Sequence, residues 1–443
     1  MPSTVIGTTS STRGPKCVDR LTSSFAGPKG WLLVALLCGC GCGGGGKSSS
    51  DAAVGADMSA SSDGSTGGGD AAPPTCVMPA SPQSCTPPSG TALPVCTLAL
   101  TGCMSASAPT QPIATAHPYE LNSPFWSDSA AKARAFVLPA GGKIHVKDCT
   151  NPSAECIAPN GLPEGIADTG RWVFPVGTVF IKSFEFDGKL VETRLFMHVD
   201  AATAAKVGNG TDWVGYTYAW NEAQTAATVV DDARVTVQFN TGARTVTWNY
   251  PSRIDCISCH NASDNTLGPE TAQMNRVVGA VNQIDTFAAA GLFDSTAPSK
   301  PYAGPLVEPY ANPALGLVGP PAGTTAETAA RSYLNTNCGF CHRPDVNDKG
   351  FDLRWQLSFK DTHICGHADD VGIGTMPGQM LVDFVPGNHA SSSMWLRMNI
   401  PVPDSDPHEY ANVDRMPPVA SFYVDTQAVD LVGTWIDSVS ACP

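Results

Sequence analysis

Residues 110–250 are dominated by short runs of β-branched and aromatic residues, which Gly, Asn and Asp turns separate at close intervals. Within residues 234–239 apolar and polar positions alternate, as in a strand with one buried face. Runs of strand-forming residues occupy 171–182, 190–199, 213–220, 233–239 and 245–250. The pattern predicts an N-terminal β-rich, sandwich-like domain over residues 110–250.

Helical periodicity replaces this pattern near the end of the chain. Thr324 and Glu327 have the spacing of a capping box, and the helix they predict ends at Cys338. Asp425 can cap a second helix, which runs to about Val439 with one apolar face. The fold class predicted is therefore multidomain β + α, with a C-terminal all-α domain over residues 323–443. A shorter helix is predicted around residues 270–279, within the segment 251–322 that joins the two domains.

The first hundred residues suggest export. Basic residues precede the apolar run 31–37, which is too short to span a bilayer, and residues 37–40 resemble a bacterial lipobox. We expect residues 1–39 to be a lipoprotein signal peptide and Cys40 to carry the lipid that holds the protein to a membrane. The alternative is a conventionally cleaved signal and a soluble periplasmic protein. Residues 40–73 read as a flexible tether, and residues 74–109 as a Cys- and Pro-rich segment.

Two copies of Cys-x-x-Cys-His carry the strongest chemical signal in the chain. This spacing is typical of covalent c-type haem attachment, in which each thiol adds to a haem vinyl group and the histidine ligates iron. The sequence therefore predicts two covalently bound c-type haems. Their expected attachment and iron-ligating residues are Cys256, Cys259, His260, Cys338, Cys341 and His342.

Two other uses of these cysteines stay open. A thioredoxin-like Cys-x-x-Cys is possible, although no βαβ pattern surrounds either copy. A four-cysteine zinc site is possible too, but it gives no reason for the trailing histidines, and the two pairs are far apart in sequence.

A second iron ligand can be proposed for the haem at His342. The order helix, Cys-x-x-Cys-His, loop, methionine and closing helix is that of a small cytochrome c domain, and it nominates Met416. Its competitors are Met376, Met380 and Met398. For the haem at His260 the possible partners are Met274, His117, His145, His198 and Met197, each more readily explained as a structural residue.

Cysteine usage and net charge limit the compartment and the partners that the protein can have. Eight further cysteines, enough for four disulfides, indicate an oxidising compartment; among the possible pairs are Cys149 with Cys156 and Cys365 with Cys442. The formal net charge of −14 argues against nucleic acid as a partner. It fits either a redox partner with a basic docking patch or simply a soluble surface.

From about residue 110 to residue 440 the chain resembles a family of secreted diheme c-type cytochromes. The matching stretches, in order, are 119–128, 174–182, 192–196, 220–225, 333–344, 385–387 and 416–418. The resemblance implies one haem on Cys256, Cys259 and His260, and another on Cys338, Cys341, His342 and Met416. Similar modules look to be fused to quinoprotein sugar dehydrogenase-like propellers, so a separate quinoprotein dehydrogenase is a possible electron donor.

These observations favour an exported diheme c-type cytochrome, facing the periplasm or in the outer membrane, that relays electrons between redox proteins. On this interpretation the protein is an electron carrier rather than an enzyme. One alternative is a diheme peroxidase-like enzyme with one open haem. Another is a ligand-binding β-domain with accessory haem, for which aromatic residues are available at Trp126, Trp213, Tyr216, Tyr218 and Trp220.

Overall fold

The computed structural model describes residues 76–443, except 91–92, 152–155, 158–160, 162, 164, 209, 231–234, 262–265, 296–297, 299–303, 370, 374–379, 402–414 and 419–420. The predicted signal peptide and tether, with Cys40, lie outside the described residues. Residues from Ala71 to Pro443 belong to one compact unit. Within the described ranges, no helix has both the length and the apolar character needed to cross a bilayer.

The described part of this unit contains sixteen strands, and the longer ones all lie in its first half. They are β1 (His117–Pro118), β2 (Ala131–Val137), β3 (His145–Val146), β4 (Trp172–Val173), β5 (Val179–Phe186), β6 (Lys189–His198), β7 (Trp213–Trp220), β8 (Ala227–Val229), β9 (Val235–Asn240), β10 (Thr245–Tyr250), β11 (Val277–Val278), β12 (Val281–Asn282), β13 (Ala311–Asn312), β14 (Leu317–Val318), β15 (Ala368–Asp369) and β16 (Leu381–Val382).

The helices are short, apart from two near the C-terminal end. They are α1 (Ala201–Val207), α2 (Arg253–Cys259), α3 (Thr271–Met274), α4 (Gln283–Ala289), α5 (Ala326–Asn337), α6 (Ser393–Met398) and α7 (Thr426–Ser438). Single 3-10 turns occur at Leu98–Thr101, Ile166–Asp168, Pro313–Leu315, Lys360–Thr362 and His389–Ser391.

The main sheet has six antiparallel strands in the order β1-β2-β5-β6-β7-β8. Because successive side chains point to opposite faces, each strand serves two different layers. The back face, which carries Ile181, Leu195 and Tyr218, packs on the Cys- and Pro-rich segment. There the Tyr218 hydroxyl donates to the Val95 carbonyl over 3.0 Å. The disulfide-bonded segment therefore covers the back face of the sheet.

The opposite, front face carries two apolar clusters. At one end Phe180 and Phe196 pack with Phe287 of α4. At the other end the β9–β10 hairpin covers the sheet through Trp248, whose ring lies 5.3 Å from that of Phe184. Strands occur in all of the predicted segments, but the layer on the front face is a two-stranded hairpin with short helices, so the domain is not a pair of full sheets.

The predicted fold class is wrong in its second half, because residues 323–443 do not form an all-α domain. Loops, 3-10 turns and the β15–β16 pair separate α5 from α6 and α7, and more of the described residues are in strands than in α-helices. Gly, Pro and Asp residues are frequent between α5 and α7, and these favour turns over helices. α5 and α7 do pack together, with Leu334 and Trp435 in one apolar core.

Helix ends differ from the prediction in two places. The N-cap of α5 is Thr325, whose Oγ1 accepts from the Thr328 amide over 3.1 Å, so the cap lies one residue after Thr324. The helix predicted around residues 270–279 ends at Met274, because Val277–Val278 pairs with β12 instead. The cap of α7 agrees with prediction, since Asp425 Oδ1 accepts from the Ala428 amide over 3.1 Å.

The prediction of four disulfides is confirmed, including both pairs proposed from the sequence. The bonds are Cys76–Cys96, Cys85–Cys103, Cys149–Cys156 and Cys365–Cys442. Among the cysteines that the structure describes, the four outside disulfides are those of the two Cys-x-x-Cys-His motifs.

Candidate functional site

The first motif lies on α2, directly after the last strand of the β-rich region. Ser252 and Asp255 form a reciprocal capping box, in which each side chain accepts from the other residue's amide, over 3.3 and 2.9 Å. Cys256 and Cys259 are three residues apart on one helix, so their thiols share a side. His260 ends the helix, and its amide donates to the Cys256 carbonyl over 2.8 Å.

α2 packs on the front face of the main sheet. The His260 ring lies 4.2 Å from the Phe196 ring on β6. Beside it, a Cβ atom at Gly215 of β7 would come within 2.8 Å of the Cys256 sulfur. Glycine at this strand position therefore lets the thiol approach the backbone of the sheet, which an ordinary strand residue would prevent.

A cavity between α2 and the sheet brings together Cys256, Cys259 and His260. Including its open mouth, this first cavity measures about 1070 Å³. Its walls come from both apolar clusters of the front face, with Phe180 and Phe196 from one and Trp248 from the other. It is thus an apolar space that adjoins two thiols and an imidazole, which is the setting that covalent haem attachment needs.

None of the other ligands considered for the first haem lies in the described lining of this cavity. Each makes structural contacts instead. Met274 is fully buried with its sulfur 3.9 Å from Gln283 Nε2, Met197 is in the back-face core, His117 packs on Phe136, His145 bonds Asp294, and His198 bonds Asp212 and the Phe174 carbonyl.

A row of cations crosses the front face within the same cavity, and sequence reasoning missed it. Arg134 on β2, Lys182 on β5 and Arg194 on β6 are direct cross-strand partners, and all three line the first cavity. The sequence of β5 does indicate it, because Lys182 lies two residues from Phe180 and from Phe184, both buried, and therefore points to the same face of the sheet. A lysine at an inward position needs a polar partner, and that requirement could have been read from the sequence.

The second motif follows the last turn of α5. The Cys338 amide donates to the Leu334 carbonyl and the His342 amide to the Cys338 carbonyl, over 2.9 and 2.8 Å, so the motif continues the helical path as a turn. The His342 ring stacks on Phe351 with centroids 4.8 Å apart. Burial lowers the pKa of His342 to about 4, so its imidazole is neutral at physiological pH, the form that ligates metals. Its Nδ1 is buried and has no hydrogen-bond partner among the described residues.

A second cavity, about 950 Å³ with its mouth, holds Cys338, His342 and Met416 together. Of the competing methionines, Met398 also lines it, whereas Met380 is 94% exposed and is not in its lining. Met394, which the sequence did not nominate, lines this cavity too. Met376 lies outside the described residues. The Met416 amide donates to the Arg397 carbonyl over 3.0 Å, which holds the Met-Pro segment at the cavity wall.

His367 is a further imidazole on the second cavity that the sequence did not single out. Its Nδ1 lies 2.8 Å from Asp383 Oδ2, and its ring is 5.5 Å from that of Phe351. A carboxylate on one ring nitrogen is the usual partner of a metal-bound histidine, but it equally suits a structural ion pair. The Nε2 atom of His367 lies close to Gly350: a Cβ atom added at Gly350 would be only 2.4 Å from it.

Three of the four motif thiols, those of Cys259, Cys338 and Cys341, have raised pKa values. Burial, together with the nearby thiols Cys341 and Cys256, raises the pKa of Cys259 to about 12. Burial likewise raises the pKa of Cys338 to about 12 and that of Cys341 above its usual value. Thioredoxin-like cysteines have lowered pKa values, so these environments do not suit that chemistry. In the described ranges no group of three or more His, Cys, Asp or Glu is arranged to hold a metal ion.

The two motifs lie against each other. Asn261, which directly follows His260, donates from Nδ2 to the Phe340 carbonyl inside the second motif, over 2.9 Å. The Phe340 ring also packs 5.8 Å from the ring of Phe125, a residue of the first cavity. Two segments that are far apart in sequence are therefore neighbours, and each of them contributes residues to one of the two cavities.

A buried charge network connects the second motif to the first half of the unit. Asp168, which is fully buried, accepts from Arg343 Nη2 over 3.0 Å, from Arg354 Nη1 over 3.2 Å and from Arg171 Nε over 2.6 Å. Arg343 directly follows His342 and is fully buried too. This carboxylate thus anchors the residue next to the predicted iron ligand.

The aromatic residues considered for a ligand-binding β-domain are buried. Trp126, Trp213, Tyr216, Tyr218 and Trp220 are each less than a tenth exposed. Their polar atoms serve the interior, as when Trp220 Nε1 donates to Thr193 Oγ1 over 2.9 Å. These side chains form cores and do not offer a flat aromatic surface to a sugar.

The residues present fit a haem group at each motif. Both sites combine two cysteines outside disulfides, a histidine at the required offset and an adjoining apolar cavity, and the second adds a neutral imidazole with an unsatisfied buried nitrogen. Comparisons of the chain with protein-family models, with curated proteins and with solved structures found no match. The resemblance to diheme cytochromes therefore stays a prediction.

Proposed function

We propose that the protein is an exported diheme c-type cytochrome that relays electrons between redox partners. The observation that carries the proposal is the contact between the two Cys-x-x-Cys-His segments through Asn261 and Phe340. Electron tunnelling needs cofactors close to one another in a dry surround, and adjacent attachment segments beside two apolar cavities supply that arrangement.

Within this proposal the chain's own residues have distinct roles. Cys256, Cys259, Cys338 and Cys341 would be the attachment thiols, and His260 and His342 would each ligate the iron of one haem. Met416 would be a further iron ligand at the His342 site, and its presence in the same cavity as His342 supports that role. Bound haem supplies a one-electron iron couple, and a thioether ligand raises its potential relative to a second histidine.

The setting follows from the sequence features of the first half of the chain. The four disulfides fit an oxidising compartment. Export as a lipoprotein, with a lipid on Cys40 and the body facing the periplasm or in the outer membrane, is part of the proposal. Its partners are redox proteins, a quinoprotein dehydrogenase being one candidate donor.

The proposal is tested with protein produced in a host that has haem-maturation machinery. A pyridine haemochrome assay should give two haems per chain, and a redox-titrated spectrum should show two low-spin centres. A matched variant, C338S with C341S, should retain one haem. A single haem in the wild-type protein would contradict the diheme assignment.

The same spectrum separates the alternative enzyme from the relay. A peroxidase-like protein should develop a high-spin signal after partial reduction, together with turnover of peroxide. A relay should show neither. Wild-type protein without any covalent haem would overturn both interpretations.

A further inference from the structure

The cation row on the front face, Arg134, Lys182 and Arg194, has more positive charge than the described carboxylates around it balance. Arg194 is paired, because its Nε and Nη2 atoms lie 2.5 and 2.9 Å from the two oxygens of the fully buried Glu192. That carboxylate also accepts from Trp248 Nε1 over 3.0 Å. Glu192 is therefore already fully engaged by one cation of the row and an indole.

Arg134 and Lys182 have no such partner. Neither lies within ion-pair distance of a carboxylate in the part of the chain that the structure describes, and Arg134 Nη2 is a buried nitrogen without a hydrogen bond there. Lys182 faces two aromatic rings, with Nζ 5.8 Å from the Phe125 centroid and 5.2 Å from that of Phe184. Burial, and then the neighbouring Arg134 and Arg194, lowers the pKa of Lys182 well below its usual range.

Uncompensated cations in an enclosed apolar space are costly, so an anion is expected to complete the row. Guanidinium and ammonium groups bind carboxylates well, and a haem has two propionate carboxylates. The row and the first motif line one cavity, so a haem attached at Cys256 and Cys259 would share that space with the cations.

The order of strands matches the shape of that ligand. The Cys256 thiol lies against Gly215 on β7, with Arg194 on the next strand, then Lys182 on β5 and Arg134 on β2. From the usual spacing of strands, β5 and β2 are about 10 and 14 Å from β7. A haem is attached through its vinyl edge and carries its propionates on the opposite edge. The two cations without a carboxylate are thus those farther from the thiol, on the side where propionates are expected.

We infer that Lys182 and Arg134 bind the propionates of the haem attached at the first motif. This inference rests on the proposed function, since it needs a haem at Cys256 and Cys259. It assigns the two cations to positioning that haem and to setting its potential, because a cation near a propionate favours the reduced, less positive cofactor. Arg194 stays with Glu192 and keeps the row anchored to the sheet.

The test uses K182M and R134L in the full-length exported protein, with K189M as the control. Lys189 is on the same sheet, on β6, and is not among the residues that line either cavity. Resonance Raman spectroscopy reports propionate bending modes, which shift when a hydrogen bond to a propionate is lost. Each cavity variant should shift the propionate band of one haem and lower that haem's midpoint potential, while K189M changes neither. The haem concerned is identified in the C338S/C341S background.

Failure of this inference can be told apart from failure of the diheme proposal. If the diheme proposal is wrong, the wild-type protein contains fewer than two haems, and this is measured before any variant is made. Unchanged propionate bands in both variants would overturn the inference. A changed axial-ligand spectrum in K182M with unshifted propionate bands would make Lys182 an iron ligand and would also overturn it. If K182M fails to attach the first haem, K182R, which keeps the charge, should restore attachment, and an equally defective K182R would count against the inference.

Discussion

The side-chain amide of Asn261 donates a 2.9 Å hydrogen bond to the main-chain oxygen of Phe340. It joins the residue after one Cys-x-x-Cys-His motif to the middle of the other. N261A should remove this bond at a cost of about 1 kcal/mol of unfolding free energy. With the two segments less firmly held, electron exchange between the haems should slow while both stay attached. Flash-induced reduction of one haem, followed by its equilibration with the other, measures the rate; an unchanged rate would show that the contact does not govern the exchange.

Met416 is expected to be the thioether ligand at the second haem. M416A should abolish the weak near-infrared charge-transfer band of a methionine-ligated ferric haem, and it should lower the potential because thioether ligation favours ferrous iron. M398L is the matched control, since Met398 is on the same cavity and the change conserves volume. A band that survives in M416A and disappears in M398L would transfer the role to Met398.

Asp168 is expected to be a centre of stability. In D168N the side chain loses its charge, so Arg343, Arg354 and Arg171 lose the carboxylate that they share, although Arg343 keeps Asp345 and Arg354 keeps Asp352. Breaking a buried ion pair from one side costs about 3–5 kcal/mol. Urea denaturation measures the loss. D187N provides the comparison, because the Asp187–Arg244 pair is largely exposed and its removal should lower the unfolding free energy much less. Equal losses in both variants would contradict the central role of Asp168.

Asp128 should make stability depend on pH. Burial raises its pKa from 3.8 to about 6, although the Tyr423 and Phe422 amides, each donating to it, act in the opposite direction. Between about pH 4 and pH 6 the folded protein therefore holds a proton that the unfolded chain releases, so this group's contribution to stability falls as pH rises. The difference from D128N, which cannot titrate, should change by about 3 kcal/mol across that range. Denaturation curves of both proteins at pH 4 and pH 7 test this, and parallel curves would remove Asp128 as the cause.

How far the sequence could predict this structure depends on the range of the interactions. Trp213–Trp220 and Thr245–Tyr250 are strands with the predicted bounds, because β-branched and aromatic residues favour strands locally. The disulfide between Cys149 and Cys156 could be predicted because the loop between the two cysteines is short. The predicted all-α class failed between α5 and α7, where the described residues include 3-10 turns and the β15–β16 pair as well as the short helix α6.

The candidate sites were predictable only in part, for the same reason. The motif residues are marked by their spacing, which is local, but that α2 packs on Phe196 and that Asn261 reaches Phe340 depends on contacts between distant segments. Lys182 was predictable in part. Its inward position was visible in the alternation of β5, whereas its partners Arg134 and Arg194 come from strand register, which one sequence does not specify.

The raised pKa values of the motif thiols have a consequence for how the protein matures. Under the proposed function, eight of the described cysteines form disulfides in an oxidising compartment, while the four of the motifs stay available for haem attachment. Thiol–disulfide exchange proceeds through the thiolate, so a buried thiol with a pKa of about 12 exchanges slowly. On this proposal, the burial of Cys259 and Cys338 would slow their pairing with the wrong cysteine before haem is attached.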